Sequence, residues 1–167
     1  MTVVLRIVLL GSAVGLAWMF AASQLVDQAR LPLDAIVEGA VLTQPFGCTT
    51  LELEPFDPLC PSRHVHTGVD LAAPAGTLVH SATSGVARVG YDAAGAGLYV
   101  AVSVGGDVRI LYCHLFSTAV NSGEQVVAGQ VIGTIGSSGL ATGPHLHFEV
   151  QVDGRPVDPA LWLAAGP

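Results

Sequence analysis

Three of the six histidines in this 167-residue chain fall in two short motifs with metal-binding spacing. The motifs are His66-Thr-Gly-Val-Asp70 and His145-Leu-His147, and His114 lies between them in the sequence. Two imidazoles and one carboxylate suit Zn²⁺ in a three-ligand site that leaves one coordination position open for water. The remaining histidines could then move protons, so these residue types predict metal-assisted catalysis.

Strand geometry would place both histidines of the second motif on one face, because side chains two residues apart project from the same face of a β-strand. An extended segment would direct His145, His147 and Glu149 to one side, and Leu146 and Phe148 to the other. Glu149 is then a candidate partner for an imidazole N–H near the metal, although a structural carboxylate explains it equally well. Taken alone, two histidines at this spacing are also explained as solvated surface side chains.

The first motif is read as extended backbone, since Gly68 within it disfavours a helix. His66 and Asp70, four residues apart, then share one face of the segment. Such a pair often arises by chance, so it carries little weight alone. His64 could share that face and compete as a ligand, but a solvated surface position is the favoured interpretation.

The elements that must position these residues read as short strands. Apolar runs rich in β-branched residues alternate with turn residues. The runs are Thr77–His80, Gly85–Val89, Leu98–Val104, Val108–Tyr112, Gln130–Ile135 and Leu146–Val152. The third and fourth runs flank Gly105-Gly106-Asp107, which predicts a hairpin. The whole domain is predicted to be an all-β, antiparallel sheet or sandwich, with a single helical turn at Asp158–Leu163.

His114 lies in one of these strands, beside two residues that need an interpretation. Cys113 should point to the opposite face from His114 and act as a small core residue. Tyr112 should share the face of His114, where it could support an oxyanion or simply pack; packing is favoured.

The N-terminus is an apolar segment, uncharged from Ile7 to Val26. Its length suits a membrane-spanning helix, and residues 1–26 are predicted to be such an anchor or else a cleaved signal peptide. Residues 27–40 read as a linker or short helix. Both interpretations place the remaining chain outside the cytoplasm.

The amino-acid composition narrows the range of partners and functions that the chain could have. The formal net charge is −7, charged residues are only 11%, and all six basic residues are arginines. No basic patch is visible, which argues against nucleic acid as a partner. Cys48 and Cys60 flank an irregular stretch and could form a disulfide in an oxidising compartment, with two unpaired cysteines as the alternative.

The motifs resemble the signature of the LytM/lysostaphin-type zinc metallopeptidases, peptidase family M23. The matching segments are His66-Thr-Gly-Val-Asp70, Tyr112-Cys-His114-Leu115 and Gly143-Pro-His145-Leu-His147-Phe-Glu149. Flanking segments such as Gln44-Pro45-Phe46-Gly47 extend the resemblance, so that residues 41–163 are expected to form the peptidase domain. The resemblance implies a fold of the duplicated hybrid motif type.

The resemblance also implies roles for single residues. His66, Asp70 and His147 would bind one Zn²⁺ per chain, and His114 and His145 would be the catalytic histidines. His80 stands where the family usually carries a small apolar residue, and it is interpreted as structural. The implied substrate is peptidoglycan, cleaved in its stem peptides or cross-bridges.

Two questions stay open at this point. The chain could be a non-catalytic regulator or scaffold of other wall hydrolases, although such proteins typically lose ligands or catalytic histidines that this chain keeps. The sequence also does not reveal which peptidoglycan bond is cut, or which histidine is the base.

Overall fold

The computed structural model of the chain describes residues 30–166, and short β-strands dominate this range. The strands are β1 (Val41–Gln44), β2 (Gly47–Thr49), β3 (His64–His66), β4 (Val69–Ala72), β5 (Leu78–His80), β6 (Gly85–Asp92), β7 (Gly97–Gly105), β8 (Val108–Thr118), β9 (Gln125–Val126), β10 (Val131–Ile135), β11 (His145–Val152) and β12 (Arg155–Val157). Helices α1 (Leu33–Ile36) and α2 (Pro159–Ala164) flank them.

Most strands belong to one 10-stranded sheet with the order β1-β4-β11-β8-β7-β6-β9. In addition, β10 pairs with β5 and β8, and β12 pairs with β11, whereas β2 and β3 form a separate two-stranded sheet. Each named strand pair is antiparallel. The prediction of an antiparallel all-β domain is confirmed for residues 30–166, while the duplicated hybrid motif stays a prediction.

The hairpin predicted across Gly105-Gly106-Asp107 is confirmed by the pairing of β7 with β8. Gly106 and Asp107 adopt left-handed φ angles of 57° and 59°, which the reversal of the chain requires. The pairing positions Val102 opposite Ile110, and both side chains are fully buried.

Strand β11 runs through the centre of the sheet, between β4 and β8, and divides its residues between two environments. Leu146, Phe148 and Val150 are fully buried on its core face. The Phe148 ring lies 5.3 Å from that of Tyr112 on β8. Burial of each such side chain stabilises the fold by roughly 1.5–3 kcal/mol. The alternate residues therefore face away from the core, as strand periodicity predicts.

The described part of the predicted linker packs against the sheet. Ile36 and Val37 are buried, and Leu31 N donates a hydrogen bond to the Ala82 carbonyl oxygen at 2.8 Å. The Arg30 guanidinium stacks 3.6 Å above the Trp162 ring. The predicted anchor, residues 1–26, lies outside the described residues. Within residues 30–166, none of the helices has the length and apolar character needed to span a membrane.

The predicted C-terminal helical turn is observed as α2. Asp158 caps it, because its Oδ1 accepts hydrogen bonds from Ala160 N at 2.9 Å and Leu161 N at 3.3 Å. Pro159 occupies the first helical turn, where its missing N–H costs nothing.

The predicted disulfide is also confirmed. Cys48 on β2 is bonded to Cys60, with Cα atoms 5.3 Å apart. The bond closes the segment Thr49–Leu59, called the disulfide loop below. This loop lies next to β3, and Phe56 forms an isolated bridge with His64.

Candidate active site

Strand pairing brings the two sequence motifs together. β4 pairs with β11 so that Asp70 lies opposite His147, and His66 ends β3 with its side chain fully buried. His66 Nε2 lies 3.0 Å from His147 Nδ1 and 3.1 Å from Asp70 Oδ1. His147 Nδ1 is also 3.1 Å from Asp70 Oδ1. Among residues 30–166, these three residues form a group whose ligand atoms lie close enough together to be able to hold one metal ion.

The hydrogen-bond pattern shows that this group fits a metal. His66 Nδ1 lies 3.0 Å from the Pro45 carbonyl oxygen. A carbonyl can only accept, so the ring proton belongs on Nδ1 and Nε2 presents a lone pair. His147 Nε2 faces Glu149 Oε2 at 3.5 Å, which in the neutral ring likewise leaves Nδ1 as an acceptor. With the Asp70 carboxylate, three acceptors then face one another, an arrangement that a shared cation would stabilise. Nitrogen and carboxylate ligands suit Zn²⁺.

The electrostatics of the group favour positive charge at its centre. Burial opposes ionisation of Asp70, yet the contacts with His147 and His66 hold the pKa of this carboxyl well below its usual range. Burial likewise disfavours protonation of His147, but the contacts with Asp70 and Glu149 raise its pKa to about 9. The carboxylates thus create an environment that stabilises a cation beside the imidazoles.

Steric contacts explain why the first motif has glycine at position 68. A Cβ atom at Gly68 would lie 2.9 Å from ring atoms of His147 and 2.5 Å from the Phe148 carbonyl oxygen. Such contacts are closer than van der Waals packing permits. Gly68 therefore allows β4 to approach β11 closely enough for Asp70 to reach His147.

Glu149 lies beside His147 and is held by several donors. Its Oε2 accepts a hydrogen bond from Thr67 Oγ1 at 2.5 Å, and its Oε1 accepts one from Gln151 Nε2. Burial opposes ionisation, but these hydrogen bonds and the contact with His147 lower the pKa of Glu149. Of the two interpretations of Glu149, its position favours the partner of an imidazole N–H. Thr67 is a contributor that the sequence did not reveal.

His114 reaches the same region by an irregular backbone. In the pairing of β8 with β10, the register shifts between Thr134 and Ile135. Ile135 is aligned with Leu115. His114 itself has φ 62°, a left-handed conformation that is strained for a side chain of this size. Bulges of this kind re-aim a side chain, and here the imidazole of His114 joins the groove.

Ser138 holds this irregular region in place. Its carbonyl oxygen lies 2.8 Å from His114 Nδ1, and its hydroxyl accepts from Leu98 N at 2.8 Å and donates to the Leu115 carbonyl oxygen at 2.9 Å. The His114 Nε2 lone pair is therefore directed away from Ser138. Burial lowers the pKa of His114 to about 4, so its imidazole is neutral at pH 7 and able to accept a proton.

His145 completes a histidine pair next to the three-residue group. Its ring lies 4.8 Å from that of His114. His145 Nδ1 lies 2.8 Å from the Gly143 carbonyl oxygen, and its Nε2 is 3.7 Å from Asp70 Oδ1. Thus His66, His114 and His145 each direct Nδ1 to a backbone carbonyl and Nε2 into the groove, whereas His147 is turned the other way.

Two strand-parity expectations around His114 are wrong. Cys113 and His114 both line the groove, because the bulge turns His114 onto the face that Cys113 already occupies. Tyr112 does not share the face of His114: it is buried and its hydroxyl oxygen accepts from Ala82 N at 2.7 Å. Packing was the favoured interpretation for Tyr112, and it is confirmed. Burial raises the pKa of the Cys113 thiol well above its usual range, which keeps it protonated.

The two remaining histidines lie outside the group of facing acceptors. His64 is half-buried rather than fully solvated, and its Nδ1 lies 2.8 Å from the Glu54 carbonyl oxygen. His80 lies on β5 opposite Val131, away from the groove, and its buried Nδ1 lacks a hydrogen-bond partner among the described residues.

A groove of about 450 Å³ gives access to these residues. Its lining includes Asp70, His114, His145 and His147. It also includes Glu54 of the disulfide loop, which sequence reasoning missed, because nothing in the irregular stretch indicated that it folds over the groove. No lysine or arginine is present among the described residues that line it.

Together, the antiparallel fold and the His–Asp–His group beside a second histidine pair define a metallopeptidase-type domain. The profile of Peptidase family M23 matches residues 64–159, and the chain belongs to this family. The five predicted site residues lie either in the lining of the groove or in the group of facing acceptors: His66, Asp70, His114, His145 and His147.

Similar proteins agree with this assignment. The chain is 37% identical over 118 residues to the DD-carboxypeptidase/endopeptidase Mpg of Neisseria meningitidis serogroup B, covering 71% of the chain and 26% of that relative. It is 42% identical over 93 residues to the peptidoglycan DD-endopeptidase ShyA of Vibrio cholerae, covering 56% and 22%. The match thus spans about a quarter of each curated relative.

A solved structure matches the fold over most of its length. The catalytic domain of the antimicrobial peptidase lysostaphin from Staphylococcus simulans superimposes with a TM-score of 0.62 at 30% identity, covering 75% of this chain and 92% of that one.

Proposed function

We propose that this protein is a zinc metalloendopeptidase that hydrolyses peptide bonds in the stem peptides or cross-bridges of peptidoglycan. The observation that carries the proposal is the convergence of His66 Nε2, Asp70 Oδ1 and His147 Nδ1, at separations of 3.0–3.1 Å, beside a second pair of histidines. The names of the curated relatives support the substrate class, since they include a peptidoglycan DD-endopeptidase.

The metal would be held by His66, Asp70 and His147, with one Zn²⁺ per chain. Zn²⁺ supplies a Lewis acid that acidifies water to a pKa of about 7 and polarises a carbonyl oxygen. The chain's own contribution begins with orientation. Pro45 fixes the ring of His66, and Glu149 fixes that of His147, so that the ligand atoms are arranged in advance of binding.

His114 and His145 are proposed to carry out the proton transfers. Their Nδ1 atoms face the backbone carbonyls of Ser138 and Gly143, so both Nε2 atoms enter the groove as proton acceptors. His114 is neutral at pH 7 and suits a general base. An imidazole that has taken up the proton of the attacking water can then donate it to the departing amine. A positioned imidazolium would also stabilise negative charge that develops on the scissile carbonyl oxygen.

The proposed location is outside the cytoplasm, with residues 1–26 as a membrane anchor or as a cleaved signal peptide. The disulfide between Cys48 and Cys60 supports an oxidising compartment. Residues 27–40 would connect this segment to the peptidase domain, residues 41–163.

The alternative is a non-catalytic regulator of other wall hydrolases. The complete set of His66, Asp70 and His147 with His114 and His145 argues against it, because a scaffold needs neither the facing acceptors nor the strained backbone at His114.

The test is mass spectrometry of fragments released from purified peptidoglycan by the full chain. We expect peptide-bond cleavage products that disappear on treatment with a chelator and return on addition of Zn²⁺. The masses of the fragments identify the bond. Binding to peptidoglycan without any released fragment, in zinc-loaded protein, would overturn the proposal in favour of the regulator.

A further inference from the structure

The exposed side of helix α2 is apolar throughout. The helix consists of Pro-Ala-Leu-Trp-Leu-Ala, and Leu161 keeps 70% of its surface exposed. Trp162 beside it is half-buried, and Ala160 and Ala164 are exposed. A helix at the surface of a soluble domain usually presents polar side chains to water. These four residues, called the α2 face below, therefore form a surface that lacks the expected polar side chains.

Arg30 connects the α2 face to the beginning of the described chain. Its guanidinium stacks 3.6 Å above the Trp162 ring and donates a hydrogen bond to the Trp162 carbonyl oxygen. Leu31 N donates to the Ala82 carbonyl oxygen at 2.8 Å, and Ile36 on α1 is fully buried. The chain is thus fixed to the domain from Arg30 onwards.

The uncharged apolar segment of the sequence ends close to this fixed point. It runs from Ile7 to Val26, so only residues 27–29 separate it from Arg30. The four steps from Val26 to Arg30 span at most about 14 Å, even in a fully extended chain. A segment that lies in a bilayer, as in the anchor interpretation, therefore holds Arg30 and the α2 face next to the lipid surface.

We propose that the α2 face docks on this lipid surface and inserts Leu161 and Trp162 into the interfacial layer of the bilayer. The inference rests on the anchor interpretation of the proposed location, and it does not depend on the peptidase activity. Tryptophan suits this layer because its ring is apolar and its N–H is polar. A short linker holds the α2 face at an effective concentration on the order of millimolar, so that a small apolar surface is sufficient for docking.

Apolar contact explains this docking better than charge does. The chain has a formal net charge of −7, and the acidic residues Asp34 and Glu38 are exposed shortly after Arg30. Attraction to anionic lipid is therefore not expected. Vesicles of zwitterionic phosphatidylcholine should be sufficient for docking.

Docking also sets the direction in which the groove opens. Helix α2 lies against β11, and Leu163 belongs to the same buried cluster as Phe148 and Val150, on the core face of that strand. His145 and His147 project from the opposite face of β11 and line the groove. The groove of a docked chain therefore faces away from the membrane, towards the polymer proposed as substrate.

The test measures the fluorescence of Trp162 in the full chain, reconstituted into phosphatidylcholine vesicles. Trp18→Phe removes the other tryptophan. Bromine atoms on the upper part of the lipid acyl chains quench an indole ring that contacts them. Because a docked apolar face enters the interfacial layer by about 5–10 Å, brominated vesicles should lower the Trp162 fluorescence at least about twofold.

Two substitutions test whether the α2 face causes the quenching. Leu161→Asp should largely abolish it, because the substitution places a charge in the α2 face. Leu59→Asp is the matched control, since it makes the same change at a leucine of the disulfide loop that is 90% exposed, and quenching should stay as in the parent. Equal quenching in the two variants would overturn the docking of α2.

Flotation of the vesicles separates the remaining outcomes. If the chain floats with the vesicles but Trp162 is not quenched, the anchor interpretation stands and the docking inference fails. If the chain does not float with them, both fail. Neither result affects the release of fragments from peptidoglycan, which tests the proposed function separately.

A tryptophan at the groove tests the predicted orientation. Leu140 lines the groove and is 48% exposed. Leu140→Trp, combined with Trp18→Phe and Trp162→Phe, reports from the groove alone. We expect brominated lipid to leave this fluorescence unchanged. Quenching at this position would show that the groove lies against the membrane, and would overturn the proposed orientation.

Discussion

Strands β11 and β8 lie side by side in the sheet and both carry histidines of the groove, but they position them by different means. The β11 ladder with β8 is regular from His147 to Val152, and simple alternation directs His145 and His147 to one face. On β8 the register is irregular around His114, which adopts φ 62°. Strand β11 positions its histidines by the regular two-residue alternation of side chains, whereas β8 departs from that alternation at His114.

This difference indicates a difference in role. His147 is part of the regular sheet and faces Asp70 across a strand pair. This suits a metal ligand, which must be held at a fixed position relative to the other ligands. His114 is held by a strained backbone together with Ser138. Strain of this kind persists only when surrounding contacts maintain it, and it is concentrated at functional sites. Removing the first histidine should therefore affect the metal, and removing the second should affect the chemistry.

The largest expected effect is that of His147→Ala. We expect loss of zinc binding together with loss of peptidoglycan hydrolysis to the detection limit, because two of three protein ligands cannot retain the metal. Elemental analysis and fragment release would be measured on the same sample. His64→Ala, a histidine close by on β3 but outside the facing acceptors, should keep zinc; retention of zinc by His147→Ala would contradict the comparison.

His114→Ala should lower the rate of hydrolysis by about 10²–10⁴-fold, the usual contribution of a general acid or base. Zinc content and fold should stay as in the parent, since His114 is not among the facing acceptors. The check is steady-state hydrolysis of peptidoglycan with zinc analysis of the same preparation. His80→Ala serves as the control away from the groove, and an undiminished rate for His114→Ala would remove His114 from the mechanism.

A smaller effect is expected for Glu149→Gln. This substitution removes the negative charge next to His147 Nε2 and should weaken Zn²⁺ binding by about 10–100-fold. Chelator competition measures the change, with the exposed Glu38→Gln as a charge-matched control. Equal affinities in the two variants would assign Glu149 to structure alone.

The smallest effect is on stability, and it has opposite signs in the two strands. Because a left-handed residue other than glycine costs roughly 1–2 kcal/mol, His114→Gly should be more stable than His114→Ala by about 1 kcal/mol. In the extended β11, glycine should instead be less stable than alanine by roughly 0.5–1 kcal/mol at position 145. Urea denaturation of the four variants compares the two differences. The same sign at both positions would show that the backbone at His114 is not strained.

These two strands also mark what the sequence could predict. The His-Leu-His spacing and the alternation of β11 were sufficient to assign its two faces, because period-2 geometry depends only on neighbouring residues. The same rule failed at Cys113 and Tyr112, since the bulge beside His114 depends on contacts with Ser138, 24 residues further along the chain. Local sequence patterns do not predict contacts between residues that are so far apart in the chain.

The disulfide loop likewise has one feature that the sequence could predict and one that it could not. The pairing of Cys48 with Cys60 could be predicted from their context, and it is confirmed. The position of Glu54 in the lining of the groove could not, because it depends on how the closed loop folds against β3. The separation of ligands from catalytic histidines rested on family resemblance, and the geometry supports it by grouping His66, Asp70 and His147.

The most direct test of this separation is anomalous X-ray diffraction at the zinc absorption edge, from crystals of the zinc-loaded full chain. We predict one zinc peak per chain, at about 2.0–2.2 Å from His66 Nε2, Asp70 Oδ1 and His147 Nδ1, with His114 and His145 outside bonding distance. A zinc ion bonded to His114 or His145 in place of one of these residues would contradict the account.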